Sequence, residues 1–230
     1  MQVKSQIVKL SRNQLKIIAI ITMIIDHIGV AFFTEGHTVY EVLRFIGRIS
    51  FPVFLFIFLD GFFMSQNRKK HIFELLFFSI VSEPFYDRAL HGQWFDWSSQ
   101  NVMLTWFLCY TMLYFLEMTK KCKILYRIAY STGIITVYIL ISYFLNVDYG
   151  FIGILCMATC YYLSISKIIM PIILSIGFLE PGTLLSIPIL CLYDKDKPCK
   201  KPSKILKYIM YWFYPVHLLI IAAIQMLFNI

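Results

Sequence analysis

Long apolar runs alternate with short charged clusters along the chain, and few charged residues interrupt a run. The first run, 15–33, follows Lys4, Lys9, Arg12 and Lys16. A basic start before an apolar run also marks a signal peptide. This run is longer than a signal core, lacks a small-x-small cleavage site and contains Asp26 and His27, so it predicts a retained transmembrane helix. Further spans are predicted at 42–64, 71–86, 101–118, 128–145, 150–163, 168–179, 183–193 and 207–229. At helical rise the run 183–193 reaches only about 16 Å, half a bilayer. "GFLEPGTLLSIP" (177–188) therefore reads either as the tip of a re-entrant hairpin or as a loop between short spans. The expected fold is an all-α polytopic membrane domain over 1–230, with about 8–10 transmembrane or re-entrant helices.

Composition agrees. Of 230 residues, 59% are hydrophobic and 15% charged, a balance that places the chain in the membrane class. Charge then sets orientation. Alternating spans put the N-terminal segment, "NRKK" (67–70), "KKCKILYR" (120–127), Lys167 and "KDKPCKKPSKILK" (195–207) on one side, with 18 of the 21 Lys and Arg residues. The positive-inside rule makes that side, and the N-terminus, cytoplasmic. The net charge of +8 is thus a topology signal, and its division among short loops argues against nucleic acid as a partner. Membrane lipids are the expected surroundings.

Most of the six cysteines, Cys199 among them, fall in expected spans or cytoplasmic loops, where disulfides are not expected. Cys156 and Cys160 share a helix face without a His or third Cys, so they read as packing, and no metal site is expected. The external loop "GQWFDWSSQN" (92–101) has the tryptophans of an interfacial lip. A Gly-rich phosphate loop, HExxH and Gly-x-Ser-x-Gly are all missing from the sequence.

Ionisable residues inside spans are costly and mark candidate sites. Those singled out as candidates are Asp26, His27, Arg44, Arg48, Asp60, Glu83 and His217. His27 and Arg48 each lie about 9 Å below the external surface, and His217 about 15 Å in from the cytoplasm. These depths allow the three to converge on one cavity. Asp26 and His27 point about 100° apart, so Asp26 is not a same-face partner of His27. It is expected to pair with Arg48 or Arg44, either as a structural tie between spans or as part of a site. His27 has the ring chemistry to take and return a proton. His217 has a local structural alternative: donating to the Tyr211 carbonyl that Pro215 leaves without a donor. Asp60 reads as interfacial. Glu83 precedes Pro84, a helix-ending context, and either binds a cationic acceptor or pairs with Arg88.

"LKIIAIITMIIDHIG" (15–29), "RFIGRISFPVFLFIFLDGFF" (44–63), "SEPFYD" (82–87), "NVMLT" (101–105) and "DYGFIG" (148–153) resemble the TraX family, in that order. The resemblance covers most of the chain and is strongest in its first 105 residues. It implies a polytopic membrane acetyltransferase like the family's founding pilin acetyltransferase, related to the transmembrane acyltransferases that modify surface glycans. In those relatives a basic residue precedes the span-1 histidine with ten residues between, a spacing that Lys16 and His27 reproduce. The closing "YPVHL" resembles their last-span Tyr/His motif and makes His217 a candidate.

The expectation is an enzyme moving acetyl from cytoplasmic acetyl-CoA to an amine or hydroxyl of an extracytoplasmic glycan or peptide, in a bacterial plasma membrane. His27 is the general base, Arg48 steadies the oxyanion and Asp26 holds the arginine; an acetyl-histidine intermediate is the alternative. Lys16, Arg68, Lys69 and Lys70 are candidates for coenzyme A, and Arg44, Glu83 and His217 for the acceptor. The rival reading is a small-solute or proton-coupled transporter, which also uses buried ionisable groups and short helices.

Overall fold

The computed structural model describes residues 9–163, 168–194 and 204–228. Lys4, Lys167, Cys199 and the basic segment 195–203 lie outside the described residues. The helices are α1 (Arg12–Phe32), α2 (Thr38–Gly47), α3 (Ser50–Met64), α4 (Arg68–Tyr86), α5 (Val102–Thr119), α6 (Ile124–Phe144), α7 (Gly150–Tyr162), α8 (Ile169–Phe178), α9 (Ser186–Cys191) and α10 (Lys204–Phe228). A π-helical turn, Asp87–His91, follows α4, and a 3₁₀ turn, Pro181–Leu185, precedes α9. Among the described residues there is no strand, only two isolated bridges. Among the described residues, five segments are long and apolar enough to cross a membrane: Arg12–Phe32, Thr38–Met64, Val102–Thr119, Ile124–Phe144 and Tyr211–Phe228. The protein is an all-helical, multi-pass membrane protein.

Packing divides the chain into two compact units: Met1–Phe58 with Ser166–Pro202, and Leu59–Ile165 with Ser203–Ile230. In the first unit Ser11 starts α1 with a capping box, bonding the backbone of Gln14 while the Gln14 side chain returns to Ser11. Such a cap contributes about 1 kcal/mol. Backbone bonds from Leu10 N to Leu192 O (2.7 Å) and from Asp194 N to Leu10 O (3.0 Å) clip the start of the chain to the end of α9. The Lys9–Asp194 pair adds to the clip. Ser50 Oγ donates to Ala19 O at 3.0 Å, and Arg12 Nη2 to Ile57 O at 2.9 Å, fastening α3 to α1.

The expected span 42–64 is two helices, broken at Arg48 and Ile49. Pro52 explains the break: its nitrogen has no hydrogen to offer the Arg48 carbonyl four residues earlier. The Arg48 N–H closes α2 instead, on the carbonyls of Arg44 and Ile46. The segment 177–188 holds the end of α8, which stops at Leu179 in the left-handed region (φ 55°), and the 3₁₀ turn that leads into α9. That conformation costs a branched side chain on the order of 1–2 kcal/mol, and Leu179 itself is exposed.

In the second unit α5 is the most buried of the long apolar helices, packed on α4, α6 and α7, while α10 packs on α4. α6 is mostly exposed, as a lipid-facing helix is. The helix end expected at Pro84 does not occur. α4 runs on to Tyr86, and the Asp87 N–H reaches both the Glu83 and Pro84 carbonyls as the helix widens into the π turn. The π turn ends at left-handed Gly92 (φ 75°). Trp94, Phe95 and Trp97 beyond it are exposed, as an interfacial lip requires.

Candidate functional site

Asp26 and His27 lie past the middle of α1. At 3.6 residues per turn their side chains leave the helix about 100° apart. Two glycines bring α1 and α2 together around them. A Cβ on Gly29 would stand 3.1 Å from the Leu43 Cβ, and one on Gly47 would overlap the Cα and Cβ of Asp26. Arg44, three residues before Gly47, therefore reaches Asp26: its Nη1 lies 2.6 Å from Asp26 Oδ2. Both side chains are largely shielded, at 21% and 15% exposure, so the pair is a desolvated one held by charge-assisted hydrogen bonding.

Arg48 turns to a different acid. Its Nη2 lies 2.7 Å from Oε1 of Glu180, the residue that follows left-handed Leu179 after α8. Gly182 permits the approach. A Cβ there would overlap the Phe45 carbonyl oxygen and come to 3.0 Å from the Arg48 Cβ. The 3₁₀ turn thus packs on the end of α2 and delivers Glu180 to the guanidinium. Arg44, Arg48 and Glu180 all act electrostatically on Asp26, giving two acids and two arginines in one group. His27, half-buried, is the residue next to Asp26 on α1.

The first unit therefore brings Asp26, Arg44 and Arg48 together, as the spacing of charges suggested. It decides between the arginines: Asp26 takes Arg44, and Arg48 takes Glu180. Lys16 sits half-buried eleven residues before His27 on α1, about 16 Å away along the axis. Glu180 is the site residue that sequence reasoning missed. Its signal was charge balance, since the second expected span carried two arginines near one depth and the first offered a single acid.

The remaining candidates lie in the second unit. Glu83 does not pair with Arg88, whose Nη1 donates to the Gly92 carbonyl at 3.0 Å. Glu83 instead accepts hydrogen bonds from the backbone and side-chain amides of Asn101, whose Nδ2 also donates to Ser79 O. Asn101 Oδ1 caps α5 by accepting from Met103 N at 2.8 Å. One buried asparagine thus joins α4 to the start of α5. The Gln100 carbonyl accepts from Asp148 N at 2.9 Å, so the motifs at 82–87, 101–105 and 148–153 meet at one end of this unit.

His217 donates Nδ1 to the Phe213 carbonyl at 2.9 Å and stacks on the Phe213 ring. The expected bond to Tyr211 O is not the one formed, because residue 213, not 211, lies one helical turn before the histidine. Asp60, expected at the interface, is buried. Arg68 lies 4.4 Å over the Phe62 ring and 3.8 Å from Glu117. Lys70 Nζ is 3.9 Å from Glu74, and Lys69 is exposed. No group of three His, Cys, Asp or Glu side chains able to hold a metal occurs among the described residues.

Comparison with known proteins places these features in a family. The family model described as "TraX protein" matches residues 11–225. The probable fimbrial assembly protein FimC, serogroup H1, of Dichelobacter nodosus is 44% identical over 82 residues, 36% of this chain and 34% of that protein. The match spans about a third of that relative's length. No solved structure matches the chain. A family match over nearly the whole chain, on an all-helical membrane fold, decides the classification: this chain belongs to the TraX family.

Proposed function

We propose that the protein transfers an acetyl group from cytoplasmic acetyl-CoA to an amine or hydroxyl of an acceptor on the far side of a bacterial plasma membrane. The carrying observation is the paired charge group beside His27. Asp26 is engaged by Arg44, and Arg48 is held by Glu180 at the end of the same helix. A histidine that follows, on one helix, an acid held by a fixed cation is suited to acyl transfer, where a base must remove a proton while an oxyanion forms.

His27 accepts the proton of the attacking nitrogen or oxygen as that atom bonds to the thioester carbonyl carbon. Negative charge moves to the carbonyl oxygen, where Arg48 stabilises it. The carbon–sulfur bond then breaks, the electron pair leaves with sulfur, and His27 returns the proton to the thiolate. Asp26 and Arg44 act as positioning residues that fix α1 against α2. Lys16, towards the cytoplasmic end of α1, offers charge to a phosphate of coenzyme A. Membership of the TraX family supports the reaction class. Similarity to a probable fimbrial assembly protein supports the terminal amine of a fimbrial or pilus subunit as acceptor.

The test is transfer by purified protein in liposomes supplied with acetyl-CoA and candidate peptides, read as coenzyme A release and gain of an acetyl mass. His27→Ala is expected to abolish transfer while leaving folding intact. Full transfer by His27→Ala would overturn the assignment.

A further inference from the structure

An open groove of about 670 Å³ runs between α5 and α6. Phe115 and Met118 of α5 form one wall, and Ile134, Val137 and Ile141 of α6 the other. Gly133 lies along it, and a Cβ there would meet nothing within 4 Å, so the groove is open at its middle. On α6 it extends from Ala129 to Ile141, about 18 Å along the axis and close to the hydrocarbon depth of one leaflet.

One end is lined by Cys122 and Ala129. Lys121 and Lys123 flank Cys122, and Arg127 lies two residues before Ala129. Lys120 is engaged by Glu117, but Lys121, Lys123 and Arg127 form no ion pair among the described residues. By the positive-inside rule this end meets the cytoplasmic leaflet, whose surface is anionic.

We infer that the α5–α6 groove is a binding site for an anionic phospholipid, with an acyl chain along Gly133 and the phosphate against Lys121, Lys123 and Arg127. A zwitterionic lipid satisfies the apolar wall and leaves the cations uncompensated. A second copy of the chain docking through α6 brings an apolar face with no acids to meet them. The pantetheine arm of coenzyme A is amide-rich and poorly matched to a leaflet-long apolar wall. Charge and apolar length together select a lipid with a net negative head group.

The test is native mass spectrometry of the purified full chain equilibrated with mixed dioleoyl-phosphatidylglycerol and dioleoyl-phosphatidylcholine. Preferential retention of phosphatidylglycerol is expected, falling about fivefold for each cation removed in Lys121→Gln, Lys123→Gln and Arg127→Gln. Gly133→Leu, whose Cβ would meet nothing within 4 Å, is expected to obstruct the groove and reduce retention of both lipids. Helicity and elution volume identify any variant that fails to fold, and the charge variants keep the test informative if Gly133→Leu does. Equal retention of the two lipids overturns the inference. So do undiminished binding by folded charge variants, displacement by coenzyme A, and cysteine crosslinks across α6 that reveal a dimer covering the groove.

Discussion

Asp26 Oδ2 lies 2.6 Å from Arg44 Nη1, joining α1 to α2 across 18 residues of chain, while Asp26 Oδ1 is buried without a hydrogen-bond partner. Removing one member of such a pair strands the other charge in a poorly solvated place. Asp26→Asn is expected to destabilise the protein by about 3 kcal/mol. The double change Asp26→Asn, Arg44→Gln should recover part of that loss, because it also removes the stranded guanidinium. A thermal-unfolding double-mutant cycle in detergent checks this. Additive losses would show that the two side chains do not depend on each other.

Gly47 and Gly182 make predictions of a different kind, since their role is closeness and not charge. Alanine at 47 collides with Asp26, and alanine at 182 with the Phe45 carbonyl. Each is expected to lower stability by about 1–3 kcal/mol, the usual cost of overpacking. Gly133→Ala, where nothing lies within 4 Å in mid-helix, is the internal control and should hold or raise stability, alanine being the better helix former. Melting temperatures of the three variants in one detergent separate these outcomes.

Much of this arrangement was legible from sequence because membrane helices are long, apolar and punctuated by charge. The runs at 15–33, 101–118 and 150–163 correspond to α1, α5 and α7 within a few residues. What hydropathy cannot see is a break that keeps the same apolar character on both sides. Arg48 and Ile49 interrupt the second span for a backbone reason, the missing Pro52 donor, without any drop in hydrophobicity. Pro84 shows the converse: a proline in a helix-ending context lies inside α4, which runs on to Tyr86. Pairings across the sequence were the least legible part. Asp26 had two arginines on one helix face to choose from, and the close approach at Gly47 selects Arg44. Glu180 looked like a turn residue beside Pro181. Asn101 stood unnoticed within a quoted motif, although it satisfies Glu83 and caps α5.

Outside the spans, Asp87 and Asp96 respond to pH in opposite senses. Burial raises the Asp87 pKa, opposed by the hydrogen bond from Asp96 N and by nearby His91. Hydrogen bonds from Ser98 lower that of Asp96. A raised carboxyl pKa means the folded state holds the proton more tightly than the unfolded chain. The Asp87 contribution is therefore unfavourable above its folded pKa and is relieved as pH falls through it. Asp96 contributes stability above its unfolded pKa and loses it as pH falls through the depressed folded value. Asp87→Asn, which keeps an acceptor for Asp96 N, is expected to melt higher than the parent at neutral pH, with the difference closing on acidification. A gap in melting temperature that is constant from neutral pH to pH 4 would exclude titration of Asp87 as its cause.

The Arg48–Glu180 pair bears most directly on the proposed chemistry. Glu180 is a positioning residue: it touches the guanidinium and is proposed to act on the reaction through it. If Arg48 stabilises the oxyanion, Arg48→Ala lowers kcat by about 10²–10³ with little change in KM. Arg48→Lys keeps the charge and loses the planar fork, so it should restore only part of the rate. Glu180→Gln retains a hydrogen-bond acceptor for Arg48 and is expected to cost less than Glu180→Ala, with both effects in kcat. A purely structural tie would instead lower the melting temperature of the Glu180 variants and leave kcat per folded molecule unchanged. Steady-state acetyl transfer measured alongside the folded fraction distinguishes the two, because positioning acts on the rate of each folded molecule and tethering acts on how many there are.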